Sequence, residues 1–344
     1  MNKKFFLFFF LLLIGIGLFS WVIKFVGWPE IKSAFLVFTF WQGIIILILT
    51  LTKALTATWK WKEILKVGGT NVPFFGLFKS HLAGFSVMYL FPTFFLGGEI
   101  LQSYILKKKY RIPWSKGMAS SITDQILDWT TNLVVIFFGI ILFILRITLL
   151  PKKMAILFFV VISFSLLVVS YFYFKAFRKE SIINFLFRRL NYNKKGNGEP
   201  LEVEKEIFNF FDLKKFSFWK GIFLAFFEEA IFLLRVWFLV SFFGRNIDFF
   251  STLSILGFSY LALMIPIPAT FGIHEGIQAF TFNALKLGIG LGTAFTMIIR
   301  GADLIVAFIG LFIFLKLGSE LLKPLFKNER NFRQTKSSSY CSGL

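Results

Sequence analysis

The sequence predicts an all-α polytopic membrane protein of about six spanning helices plus two re-entrant broken-helix hairpins, arranged as an inverted repeat. Three observations predict it. Of 344 residues, 57% are hydrophobic, 52 are Phe and only 16% are charged, and the mean hydropathy is +0.75. Several runs exceed the roughly 18 to 20 apolar residues needed to cross a bilayer, which excludes a soluble fold. Second, the Lys and Arg residues behind the net charge of +20 cluster between the apolar runs. There they orient the chain and attract anionic head groups, so the expected partner is membrane lipid and not nucleic acid. Third, two apolar runs contain Pro and Gly where unbroken helix would be expected.

In chain order, spans are expected at about 5 to 26, 34 to 58, 118 to 145, 154 to 174, 219 to 243 and 293 to 316. Lys3 and Lys4 before the first run resemble a signal peptide, but the run is long and lacks a small-residue cleavage site, so it is read as a retained span. The interrupted runs are 74 to 105 and 249 to 287. Lys60, Lys62 and Lys66 precede the first, and Lys107, Lys108, Lys109, Arg111 and Lys116 follow it. The positive-inside rule puts both of its ends in the cytoplasm, so it enters and leaves by one side. Basic residues at 175 to 195 and in the tail are also cytoplasmic, which requires the second interrupted run to turn back from outside. The expected organisation is one membrane domain, 1–318, with halves 1–150 and 151–318, a cytoplasmic loop at 175–217 and a basic, disordered tail at 319–344. Both termini are cytoplasmic, in a multi-pass cell-membrane protein. The single Cys341 leaves no intramolecular disulfide.

The two halves match locally. Pro92 precedes Glu99 by seven residues in PTFFLGGE, and Pro268 precedes Glu275 by seven in PATFGIHE. Asp128 follows Glu99 at nearly the interval at which Asp303 follows Glu275. This is the layout of an inverted-repeat transporter. Non-helical backbone at membrane depth is tolerated only inside protein or beside a water-filled cavity, so the breaks mark an interior site. They are expected to bring Gly97, Gly98 and Glu99 near Gly272, His274 and Glu275. Half-helices starting near Ile100 and Gly276 then aim free N–H groups and positive dipole ends at a cavity suited to phosphate. His274 and Glu275 do not begin a zinc-protease helix, because Gln278 stands where the second His must be.

These residues also carry a resemblance. YLFPTFFLGGEILQSYILKKK, DQILD, PIPATFGIHEGIQ and IIRGADLI resemble the lysylphosphatidylglycerol synthase/flippase-like membrane family, whose members include the flippase half of the bacterial multiple peptide resistance factor. The resemblance covers roughly residues 5 to 318. It implies a bundle with two oppositely inserted hairpins that moves an aminoacylated phospholipid between leaflets. The family's GGE segment falls on Gly97, Gly98 and Glu99, its G-x-x-E on Gly272 and Glu275, and its late R-x-x-D on Arg300 and Asp303. Relatives often carry Glu-Arg before the spaced Asp of the third span; this chain has Asp124 and Gln125 before Asp128.

Each candidate has a plainer reading. Glu275 caps a half-helix, Arg300 and Asp303 neutralise one another at i,i+3, Asp124 and Asp128 lie on a solvated surface, and Glu228 and Arg235 form a buried structural pair. His81 reads as a packing residue. Three function classes stay open. A translocator places Arg300 on phosphate, Glu99 and Glu275 on a cationic or hydroxylated head, and needs no cofactor; no Walker motif is present. A membrane-embedded transferase uses the same carboxylates as acid and base, but the longest hydrophilic segment, 175–217, is too short for a catalytic domain. An accessory protein presents lipid to a separate lipid-modifying enzyme. The translocator of a phosphate-headed lipid, either an anionic phospholipid or a polyisoprenyl phosphate, is the preferred reading.

Overall fold

A computed structural model describes the backbone of residues 27–90, 97–146, 152–181, 198–212, 214–264 and 272–341, with Ser20 and Lys24. Among these residues every regular element is a helix: α1 Trp28–Val37, α2 Phe40–Val67, α3 Phe74–Leu90, α4 Gly97–Tyr110, α5 Trp114–Arg146, α6 Lys152–Phe177, α7 Gly198–Phe210, α8 Phe216–Phe242, α9 Phe249–Leu263, α10 Ile273–Ala284 and α11 Ile289–Cys341. The expected first span, 5 to 26, lies almost wholly outside the described residues, as do Pro92 and Pro268.

Local chemistry explains these boundaries. Thr39 opens α2, its N–H bonded to Gln42 Oε1 at 2.8 Å. Along α2 the hydroxyls of Thr50, Thr52, Thr56 and Thr58 each donate to the carbonyl four residues back, so polar side chains are satisfied inside an apolar run. Asp248 caps α9 by accepting from Ser251 N. Helix α4 has Glu99 in its first turn and Lys107, Lys108 and Lys109 in its last, both signs matching the helix dipole.

Among the described residues, three helices are long and apolar enough to cross a membrane: α2, α5 and the Ile289–Leu317 part of α11. Large apolar side chains on them and on α6 and α8 face outward, among them Ile48, Phe138, Phe164, Phe223, Phe308 and Phe312. That is the pattern of helices whose outer solvent is lipid. One expected boundary is corrected. The span placed at 34 to 58 continues as helix to Val67, so Lys60 is not in a cytoplasmic loop but inside α2, with no exposed surface.

Both interrupted runs form pairs of helices. In the first, Gly76 faces Tyr110, Gly84 faces Gln102, and a Cβ built on Gly98 would lie 2.8 Å from the Gly84 carbonyl. The paired numbers run in opposite directions, so α3 and α4 are antiparallel and touch backbone to backbone. In the second, Gln278 on α10 donates to Ile255 O (3.1 Å) and Ser259 Oγ (2.8 Å) on α9.

Most of the packing scheme maps onto itself when α2–α5 are exchanged with α8–α11, the exception being that α2 packs broadly on α5 while α8 and α11 meet mainly through Arg235. Contacts α2–α3, α3–α4, α4–α5, α3–α11 and α2–α11 have counterparts α8–α9, α9–α10, α10–α11, α9–α5 and α8–α5, while α2 packs on α8 at the centre. The main core fills the space between α5, α8, α9 and α11 with Ile136, Phe143, Val236, Leu239, Phe258 and Phe295.

Candidate functional site

The site residues occur in two groups, each with members on the central helices α2 or α8. The first forms around α10, which begins just after Gly272, whose φ of +79° is readily adopted only by glycine. Both half-helices start three residues earlier than the sequence suggests, at Gly97 and Ile273, which puts Glu99 and Glu275 in the first turns of α4 and α10. One Glu275 oxygen accepts the Gly272 N–H at 2.8 Å; the other lies 2.9 Å from Arg300 Nη1. The carboxylate is therefore a cap and an ion-pair partner at once.

Two plainer readings are corrected here. Arg300 does not neutralise Asp303: it reaches across to Glu275, and Asp303 pairs with Arg235 of α8 at 2.9 Å. Arg235 does not pair with Glu228; it also donates to Ile299 O at 2.8 Å, tying α8 to α11. Tyr89 of α3 donates to Arg300 O at 3.3 Å. His274, 3% exposed, has no hydrogen-bond partner at either ring nitrogen among the described residues. Arg300 and Asp303 keep 12% and 23% of their side-chain surface open, so the group is within reach of a ligand.

The second group surrounds Lys60. Its ammonium is fully buried and lies 2.8 Å from Glu228, 3.3 Å from Asp124 and in contact with Asp128. Asp124 is within ion-pair reach, yet its Oδ1 makes no hydrogen bond, and Glu228 Oε1 is also without a partner among the described residues. The solvated-surface reading is thus corrected for Asp124, which is buried, while Asp128 keeps a side-chain exposure of 32%. Glu229 continues the polar chain, accepting from Tyr260 at 2.6 Å and Thr131 at 3.2 Å. Lys53 sits 4.6 Å from the centre of the Phe232 ring. Trp61 bonds Ser120, and His81 packs beside Trp61.

Of the expected site residues, Glu275, Arg300 and His274 belong to the first group, with Asp303 joined to it through α11. Asp128 lies instead at Lys60, and Glu99, 5% exposed, has no ion-pair partner among the described residues. Lys60 and Arg235 were missed as partners of these acids. Their spacing was the available signal: they lie as far apart along the chain as Asp128 and Asp303 do. Among the described residues no three His, Cys, Asp or Glu side chains are arranged to hold a metal ion. Beside Thr131, helices α5, α6 and α8 border an open groove of about 270 Å³, lined chiefly by apolar groups including Leu127, Phe177, Phe218 and Ile222.

Compared with known proteins, residues 8–310 match the family model described as Lysylphosphatidylglycerol synthase TM region. No curated protein and no solved structure matches the chain.

Proposed function

Because this membrane protein belongs to the lysylphosphatidylglycerol synthase TM region family, we propose that it binds a phosphate-headed lipid, such as an aminoacyl phosphatidylglycerol, and moves it between leaflets. The observation that carries the reading is the Arg300–Glu275 pair at the start of α10. A guanidinium held by a carboxylate, beside the free N–H groups of a helix's first turn, is a site that can exchange its carboxylate for phosphate. Glu275 is then released to a hydroxyl or ammonium of the head group. Asp303 keeps Arg235 from competing, His274 packs beside Glu275 at the start of α10, and the apolar groove beside Thr131 suits an acyl chain.

In this reading six helices cross the membrane, the pairs α3–α4 and α9–α10 re-enter from opposite faces, and both termini are cytoplasmic. The exchange symmetry of the helix contacts supports it, as does the antiparallel packing of α3 on α4. Asp128 and Glu99 serve the corresponding position in the first half. Alternating access then follows from rocking one half against the other about the α2–α8 contact.

The test is leaflet exchange of fluorescent phospholipids in liposomes containing the purified protein. Wild type accelerates exchange over empty liposomes. Arg300→Ala and Glu275→Gln, once shown to be folded, lower the rate about tenfold or more, as expected for loss of a charge-assisted bond. Wild type no faster than empty liposomes overturns translocation; if it still binds the lipid, the protein presents lipid to a separate enzyme instead.

A further inference from the structure

The charged helices of the two halves repeat one pattern at one spacing. The interval along the chain from Lys60 on α2 to Arg235 on α8 equals that from Asp128 on α5 to Asp303 on α11, and the interval from Glu99 to Glu275 is longer by a single position. A contact without charge obeys the same spacing. Gly117 of α5 packs on the Ser103 backbone, where a built Cβ would lie 3.4 Å from Cα. Its counterpart at that interval, Gly292 of α11, packs on Gln278 and Ala279 of α10, where a built Cβ would lie 2.4 Å from a carbonyl oxygen. In each half the base of the first helix pairs with the acid of the last, Lys60 with Asp128 and Arg235 with Asp303.

One position breaks the correspondence. Arg300 neutralises Glu275, but the position that matches Arg300 in the first half holds Gln125. Glu99 is consequently a carboxyl with no cation among the described residues: it is 5% exposed, and its Oε2 has no hydrogen-bond partner. Among the described side chains, the ionisable groups on the helices packed against α4 do not supply one. On α5, Asp124 and Asp128 are held at Lys60, and Lys116 donates to Gly68 O at 2.7 Å. On α3 are Lys79, His81 and Tyr89, and on α11 Arg300, Asp303 and Lys316; none is ion-paired to Glu99. A carboxylate buried without a counter-charge is strongly disfavoured, and neutralisation is its ordinary resolution.

We propose that Glu99 is a proton-carrying site: at neutral pH the first half holds a proton where the second half holds an arginine for an anion. A second step rests on the lipid reading above. If Glu99 gives its proton to water on one side and regains it on the other as the halves rock, lipid movement is coupled to a proton gradient.

The test is infrared difference spectroscopy of the purified full-length protein in lipid bilayers, titrated with pH. Wild type shows C=O stretches of protonated carboxyls at neutral pH, and one band among them is lost in Glu99→Gln and kept in Glu275→Gln, while the acids crowded around Lys60 contribute others that neither variant removes. Gln125→Arg supplies the missing guanidinium and abolishes the band with Glu99 still present, whereas the uncharged Gln125→Met keeps it. The proposal is overturned if wild type and Glu99→Gln give the same spectrum at neutral pH, if Gln125→Arg folds and retains the band, or if the band appears only when sodium is withdrawn, which would make Glu99 a sodium ligand. These readouts are separate from lipid exchange. A protein that moves no lipid yet shows the Glu99 band keeps the proton site and loses the coupling step.

Discussion

The group around Lys60 and the group around Arg235 and Arg300 are made of the same kinds of residue and arranged to opposite ends. At Lys60 a single ammonium, with no exposed surface, meets three carboxylates brought by α5 and α8. At Arg235 and Arg300 two guanidiniums meet two carboxylates one to one, and Arg300 and Asp303 are partly open. The difference follows from the side chains. An ammonium radiates three donors from one atom and can gather several acids at a point, while a planar guanidinium spreads five donors along a rigid fork, so Arg235 holds Asp303 and the Ile299 carbonyl side by side. The first group is therefore a knot that ties α2, α5 and α8 together; the second is a pair of clasps, one joining α8 to α11 and the other α10 to α11.

Removing the knot should have the largest effect. Lys60→Met leaves three carboxylates around an uncharged centre, and breaking a buried ion pair from one side costs roughly 3 to 5 kcal/mol. Denaturant unfolding in detergent micelles should show this loss, with part of it recovered in Lys60→Met combined with Glu228→Gln. Wild-type stability in Lys60→Met would mean that the cluster does not tie the helices.

Arg235→Met should cost less, about 1 to 3 kcal/mol by the same measurement, although it removes two contacts at once. Asp303 retains 23% of its side-chain surface and can recruit water, whereas Asp124 and Glu228 at Lys60 are more enclosed. A larger loss for Arg235→Met than for Lys60→Met would reverse the comparison and make the second group the structural one.

The sequence exposed the helical membrane class, the two interrupted runs and the acids at their ends, because each is local: hydropathy over a window, a Pro or Gly, a carboxylate in an apolar run. Pairing was not local. Arg300 and Asp303 lie at i,i+3 on one helix and invited mutual neutralisation, yet α10 and α8 offer each a partner from across the bundle. Lys60 misled for a different reason. Lys62 and Lys66 next to it read as a cytoplasmic loop, and only tertiary packing shows that Lys60 faces inward from the same helix. A repeat in register carries such information at long range: the spacing that links Asp128 to Asp303 also links Lys60 to Arg235.

The smallest effect should come from a third group that inverts the first. Near the end of α2, Glu63 is a single carboxylate between two lysines, Lys66 at 2.9 Å and Lys220 at 3.0 Å. Lys66 retains 45% of its side-chain surface, so its ammonium is largely hydrated in either state. Lys66→Ala leaves Glu63 paired with Lys220 and should change stability by about 0.5 kcal/mol or less, the usual range for an exposed ion pair. Lys60 and Lys66 are less than two helical turns apart, so the contrast between their alanine or methionine variants isolates burial from residue type. If Lys66→Ala instead costs as much as Lys60→Met, enclosure is not what sets the strength of these ion pairs, and the knot and the clasps differ only in the number of their partners.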